Sequence, residues 1–264
     1  MKKIITYVFM LLSVSILMGC QSNSVKHTDD QEAKQQTFDS VIKTNRDKWD
    51  AQVNKAKKIN TRSYSENASY IAPNSLSEMK EYKKPLIKGT IVNYKQMSGI
   101  NYDTYTKATV KVDKVLMGDD KRLDKKTITI VLHGGLIKSK RLFHNMSSNT
   151  YNGVTVDTQP DDLVYFHDTD VPLPEIGSHI ITAVDTIKYS SKDSSAFIDA
   201  MRKNDIKSST NAYVPYDPIS GIWVKTNHSK EYVLNNENWR NITDPNNTMS
   251  RVSITKEINN KYNN

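Results

Sequence analysis

The chain has 264 residues, a formal net charge of +8, 37% hydrophobic residues, 25% charged residues and a single cysteine. This modest apolar fraction suits one core with polar loops better than two domains. One cysteine excludes an internal disulfide and a thiolate zinc cage, and lysines spread without the aromatic and glycine interleaving of an RNA-binding sheet give no reason to expect a nucleic-acid partner.

Lys2 and Lys3 precede an apolar run from Ile4 to Leu17, followed by Gly19 and Cys20. A basic start, an apolar stretch too short for a secure membrane span and a small residue before the cut predict a signal peptide over residues 1–19. Leu17, Gly19 and Cys20 resemble the lipobox of bacterial lipoproteins, with Met18 standing where alanine or serine is commoner. The resemblance implies a diacylglyceryl group on the Cys20 sulfur and a chain anchored to the extracytoplasmic face of the cell membrane. Two acyl chains, burying methylenes at about 0.8 kcal/mol each, give stable anchoring where one is marginal. A lipid on Cys20 leaves the mature chain without a cysteine nucleophile, and losing Lys2 and Lys3 lowers the net charge from +8 to +6. Outside a membrane, that excess favours anionic headgroups and envelope polymers as neighbours.

Residues 20–36 are polar without apolar periodicity and read as a disordered tether. Over residues 37–74 an amphipathic helix and linker are expected, with Phe38, Val41, Ile42, Trp49, Val53, Ala56 and Ile59 forming a helical stripe to residue 59. Ser75 and Glu78 have capping-box spacing at the head of a short helix that Pro85 ends. Strands are expected at Leu86–Val92, Tyr105–Leu116 and Thr127–Leu132, the last leading into Gly134-Gly135. Residues 136–174 read as a long insertion. Then follow a strand at Ile180–Val184, a short helix at Ser195–Lys203, and strand candidates at Ala212–Val214, Gly221–Lys225 and Glu231–Leu234. Pro218 and Gly221 mark a hairpin between the first two of these. A terminal helix or tail over 251–264 carries Ile254, Ile258 and Tyr262 on one side. The domain is thus expected over residues 75–250, and the fold class is α+β, mainly β.

The order of these pieces, Leu76-Ser77-Glu78-Met79, Ile87 to Val92, Thr109 to Asp119, Ile128 to Val131 with Gly134-Gly135, and Pro174 to Gly177, resembles a domain recurring in secreted proteins of Gram-positive bacteria. The resemblance spans roughly residues 75–235 with gaps and implies a small antiparallel barrel of OB-like or netrin-like shape, related in outline to tissue inhibitors of metalloproteinases. Their inhibitory chemistry does not carry over, because it needs a free amino-terminal cysteine and Cys20 is expected to bear lipid. In such a barrel Gly89 would let a strand bulge as the barrel closes, and Gly134-Gly135 would turn the chain out of its edge.

Six histidines raise the question of a metal, and His144, His167, Asp168, Asp170 and His179 are the candidate ligands, although none has metalloprotease helix spacing. Surface polar residues in loops are the ordinary explanation, and no cofactor is expected. No nucleophile elbow and no phosphate-cradling glycine loop occurs. Tyr102, Tyr105, Tyr151, Tyr213, Tyr216 and Trp223 are the candidate ligand-stacking residues of an OB-like binding face, against the plainer reading of aromatics as core or cross-strand pairs. The function expected is a lipid-anchored, non-enzymatic interaction module in the cell envelope, with an envelope polymer or surface protein bound through loops 136–174. The alternatives are an envelope-polymer hydrolase with a site assembled from distant residues, and an accessory lipoprotein of a secretion or transfer apparatus that docks through the helix at 37–59.

Overall fold

A computed structural model describes residues 25–62, 73, 75–98, 101–118, 120–151, 153–208, 212–241 and 251–263. Cys20 and the expected signal peptide lie outside the described residues. The chain divides into two compact units, residues 1–38 and 39–264, and every strand belongs to the second. In chain order the elements are α1 (Val25–Lys55), β1 (Lys57–Thr61), α2 (Leu76–Glu81), β2 (Leu86–Gln96), β3 (Tyr105–Met117), β4 (Thr127–His133), β5 (Gly135–Lys138), α3 (Ser139–Leu142), β6 (Thr150–Tyr151), β7 (Val154–Thr155), β8 (Leu163–Asp168), β9 (His179–Thr186), α4 (Ala196–Lys203), β10 (Ala212–Pro215), β11 (Ile222–Lys225), β12 (Val233–Leu234) and α5 (Arg251–Tyr262).

Strands β10, β4, β3, β2 and β9 pair in that order, and β10 also pairs with β9, which closes a five-stranded OB-like barrel. The fold class is α+β and mainly β, as the patterning predicts. Four seams are antiparallel, and the fifth, β10 on β4, is parallel. Alternation does the sorting: Ile130 and Leu132 point into the barrel, while Val131 between them joins an outer cluster under α4 with Met97, Ala200 and Met201. The void between Ile91, Val110, Ile130, Ile180 and Ile222 is only about 10 Å³. That is about the least space that holds one water, so the barrel is a filled core and any ligand must bind outside it.

Two further cores lie outside the barrel. On one flank α2 and α5 cover Trp223, Tyr232 and Ile181 with Leu76, Met79, Ile254 and Ile258. Ser75 caps α2 by accepting from the Glu78 amide at 3.2 Å, as its spacing predicts. On the other side β1, β8 and β5 form a second small sheet over Ile59, Ile137, Leu142 and Phe166. Residues 136–174 therefore carry strands and most of a second core, which β1 and Ile59 complete from outside them. Within residues 39–55, α1 packs on the barrel through Trp49, whose ring meets Tyr94 edge-on at 5.3 Å, and through the Asn45 side chain, which donates to the Val92 carbonyl at 3.0 Å.

Several boundaries differ from the patterning. Helix α1 begins at Val25, inside the expected tether, and stops at Lys55. Ile59, counted in the helical stripe, belongs instead to β1, where it is buried in the second sheet, while Val41 is exposed. A run with apolar residues at both 3.6- and 2-residue spacing is ambiguous until a partner strand exists, and here β8 supplies it in parallel register. Nor do β10 and β11 form a hairpin: both pair with β9, at Asp185 and at Ile181, one after the other along the same edge. Asp217 explains the break between them, because its carboxylate accepts from the Ser220 amide at 2.8 Å and the Ser220 hydroxyl at 2.6 Å and folds the chain into a local turn.

Gly89 sits at a register shift between β2 and β3, and a Cβ there would lie 2.7 Å from the Lys111 carbonyl oxygen. The bulge thus requires the missing side chain. Gly89→Ala is expected to destabilise the fold by about 1–3 kcal/mol, read as a lower urea midpoint with an unchanged denaturant slope.

Candidate functional site

At the end of the barrel where β2 starts and β3 and β9 finish, a groove of about 1080 Å³ opens to the surface. Its walls carry Lys80, Lys83, Lys84, Lys121, Arg122 and Lys188 against two acids, Asp120 and Asp185. Local structure places each of them. Burial of Leu76 and Met79 turns the opposite side of α2, with Lys80, outward. The chain then bends through Lys83 at a left-handed φ of 52° to reach Pro85 and enter β2. Beyond β3, Gly118 at φ 87° brings the two walls together, for a Cβ there would lie 3.0 Å from the Pro85 Cα. A short 3-10 turn at Lys121–Leu123 buries Leu123 and leaves Lys121 and Arg122 exposed.

Both acids are engaged within the groove. Lys84 Nζ contacts Asp185 at 2.5 Å and ties the bend to β9. Arg122 donates to Asp120 through Nε at 2.8 Å and Nη2 at 3.2 Å, and these bonds hold the Asp120 carboxyl below its ordinary range. Lys80, Lys83, Lys121 and Lys188 have no carboxylate partner among the described residues. Tyr213 lines the floor, and burial followed by the Asp120 charge pushes its phenol up, so it is a neutral hydrogen-bonding group at pH 7.

The candidate aromatics do not form one face. Tyr213 is in the groove, and Tyr216 lies beside it, with its ring 4.8 Å from Tyr82 and beneath Lys84 Nζ at 5.5 Å. Tyr102 is exposed against His144 at 5.7 Å, Tyr105 packs between His133 and Phe197, and Tyr151 meets Phe166 at 5.1 Å. Trp223 is fully buried, with its indole N–H donating to Thr255 Oγ1 at 3.0 Å, and serves the core. Loops 136–174 contribute nothing to the groove.

The candidate metal ligands are likewise dispersed. His144 lies on Tyr102, His167 stacks on Tyr165 at 6.2 Å, and His179 Nδ1 is 3.1 Å from Thr90 Oγ1. Asp170 pairs with Arg62 at 3.2 Å and accepts from Asn238 at 3.3 Å. No group of three potential ligands converges among the described residues.

Asp168 instead leads to a cluster that patterning does not reveal. His133, the last residue of β4, has Nε2 2.7 Å from Asp103 and Nδ1 3.2 Å from the buried Asp168 at the end of β8. The two carboxylates touch opposite ring nitrogens, so the three groups cannot share one ion. Burial opposes the charge on the ring, but the hydrogen bond to Asp103 and the flanking Asp168 carboxylate outweigh it and raise His133 from 6.5 to about 9. At neutral pH the ring is an imidazolium with no lone pair to accept a proton, and it acts as a clamp between the barrel and the second sheet. Only its position before Gly134-Gly135 gives a sequence hint of this role.

No family model, curated protein or solved structure matches this chain.

The clamp makes stability depend on pH with a definite sign. Folded His133 keeps its proton up to about pH 9 while the unfolded chain loses it near 6.5, so its stabilisation is complete below 6.5 and disappears as pH rises through 9. At about 1.4 kcal/mol per pH unit this is roughly 3 kcal/mol. Urea titrations across that window should show stability falling with pH in the wild type and a flatter profile for His133→Gln; identical slopes would show that the clamp contributes nothing.

Proposed function

We propose that this chain is a non-enzymatic binding module, held by lipid on Cys20 to the extracytoplasmic face of a Gram-positive cell membrane, that takes an anionic ligand in the groove between α2, the end of β3 and the end of β9. The excess of six cations over two internally engaged acids in one open groove is the observation that carries this reading. The strand order supports the barrel that the resemblance to secreted Gram-positive domains implies, and the netrin-like affiliation belongs to the same proposal. A filled barrel directs ligands to its outer surface, and positive clefts concentrate anions by focusing the field. The lipobox-like Leu17, Gly19 and Cys20 support the anchor.

Full chain in neutral detergent should be retained on isolated, anion-rich cell envelope and released by salt. Replacing Lys80 and Lys121 with Gln should weaken retention about tenfold, since surface lysines contribute up to about 1 kcal/mol each near an anionic partner. Replacing Lys57 and Lys58 on β1 removes the same charge elsewhere, and an equal loss from that control would reduce the groove to nonspecific charge. In parallel, labelled fatty acid should appear on the wild type and be absent from Cys20→Ala.

A further inference from the structure

We infer that the protein has a second ligand site, a cleft that takes an uncharged carbohydrate, at the opposite end of β9 from the anion groove. The cleft has a volume of about 400 Å³, and small-ligand sites ordinarily measure roughly 300–1,000 Å³. One wall is the end of β8 with residues 172–175 beyond it, and the other is the end of β11 with the turn that follows β12. Ser178, just before β9, completes the lining. None of these residues belongs to the groove, so the site stands independently of the anion-binding reading.

Two polar side chains that line the cleft are almost buried, Ser178 at 2% exposure and Asn235 at 8%. The Ser178 backbone is fixed, with its amide donating to the Glu175 carbonyl and its carbonyl accepting from the Ile91 amide, each at 3.0 Å. Its hydroxyl bonds to no described residue. Asn235 Nδ2 donates to the Pro172 carbonyl at 2.5 Å, which orients the amide and leaves Oδ1 without a partner among the described residues. Polar atoms this far from bulk water are costly when unbonded. A ligand hydroxyl both donates and accepts, so it satisfies an amide oxygen and a serine hydroxyl alike.

Charge and strand pairing narrow the ligand further. No lysine lines this cleft, and apart from the His167 imidazole its one basic group is Arg240, which pairs with Glu237 at 3.0 Å. Glu175 then stands as a carboxylate without an ion-pair partner among the described residues, and it disfavours an anion. Glu175 and Glu237 are both exposed, where water screens them and an ammonium gains little. An extended peptide finds no open strand edge, because β8 is paired with β1 and β5, and β11 with β9 and β12. Pro172, Leu173, Pro174 and Val224 add apolar surface, and the prolines bring no N–H. A pyranose ring presents hydroxyls to the buried polar atoms and C–H faces to this wall.

Calorimetry on the full chain in a glycan-free neutral detergent tests this with uncharged tetrasaccharides of glucose, galactose, mannose and N-acetylglucosamine. Tetragalacturonate and tetraglucosamine serve as anionic and cationic comparators. At least one neutral probe should bind saturably and more tightly than either comparator, with an affinity unchanged from low salt to about 0.5 M, where exposed charges are screened. Ser178→Ala removes a single hydroxyl and should weaken that binding by about two- to tenfold. Glu175→Gln should narrow the discrimination against tetragalacturonate. Tighter binding of a charged comparator, or loss of neutral binding in salt, overturns the uncharged-ligand assignment. Absence of saturable binding by all the neutral probes, or undiminished binding by Ser178→Ala, overturns the carbohydrate site.

Discussion

Strand β9 carries hydrogen-bonded neighbours along both edges, and the rest of the molecule depends on that double pairing. On one edge lies β2, from Leu86 opposite Ala183 to Thr90 opposite His179. On the other, β10 and β11 follow each other, with Tyr213 opposite Thr186 and Trp223 opposite Ile181. Because β10 also reaches β4, the same edge that closes the barrel extends beyond it as a sheet under α5. No barrel strand is then left with an open edge where two chains could pair, a hazard for β proteins. The collinear β10 and β11 make this possible, and the Asp217 to Ser220 turn sets the point at which one stops and the next begins.

The second sheet hangs from the barrel by a different kind of bond. Gly134 and Gly135, at left-handed φ of 90° and 109°, turn the chain from β4 directly into β5. A Cβ on Gly135 would overlap Thr106 Oγ1, so the turn is made hard against β3. His133 stands at that corner, joined to Asp103 before β3 and to Asp168 at the end of β8. Burying an imidazolium costs several kcal/mol unless its partners compensate, and here two carboxylates do. Arg62 and Asp170 add a neighbouring pair where β1 ends beside β8. Polar groups thus fix the angle between two apolar cores that share few side chains.

What was legible in the sequence is what periodicity and caps encode. Alternation in Thr127 to Leu132, the β-branched run Ile180 to Val184, and the capping serine Ser75 mark elements the structure contains. Apolar spacing stops being informative where a segment can satisfy two periods, as at Ile59, or where strands are only two to four residues long, as in β5, β6 and β7. The groove was illegible for another reason. Its cations lie at positions 80, 83, 84, 121, 122 and 188, separated by whole strands, and they meet because β2 begins where β3 and β9 end. Among the candidate aromatics, backbone register separates Tyr213 in the groove from Trp223 in the core, although both lie on strands pairing with β9.

The groove's acids show how the fold tolerates so many like charges at one place. Asp185 binds Lys84 across the bend and the barrel end, and Asp120 binds Arg122 within its own turn. The first of these pairs ties one wall to another next to the point where Gly118 packs on Pro85. Both pairs leave the lysines on the rim facing one another across solvent, where repulsion is modest because water and salt screen it. The proposed anionic ligand would remove that residual repulsion and bridge walls already tied by the Lys84–Asp185 pair. Binding energy and fold stability would then be linked through the same contacts, with stabilisation growing as the logarithm of ligand concentration above Kd.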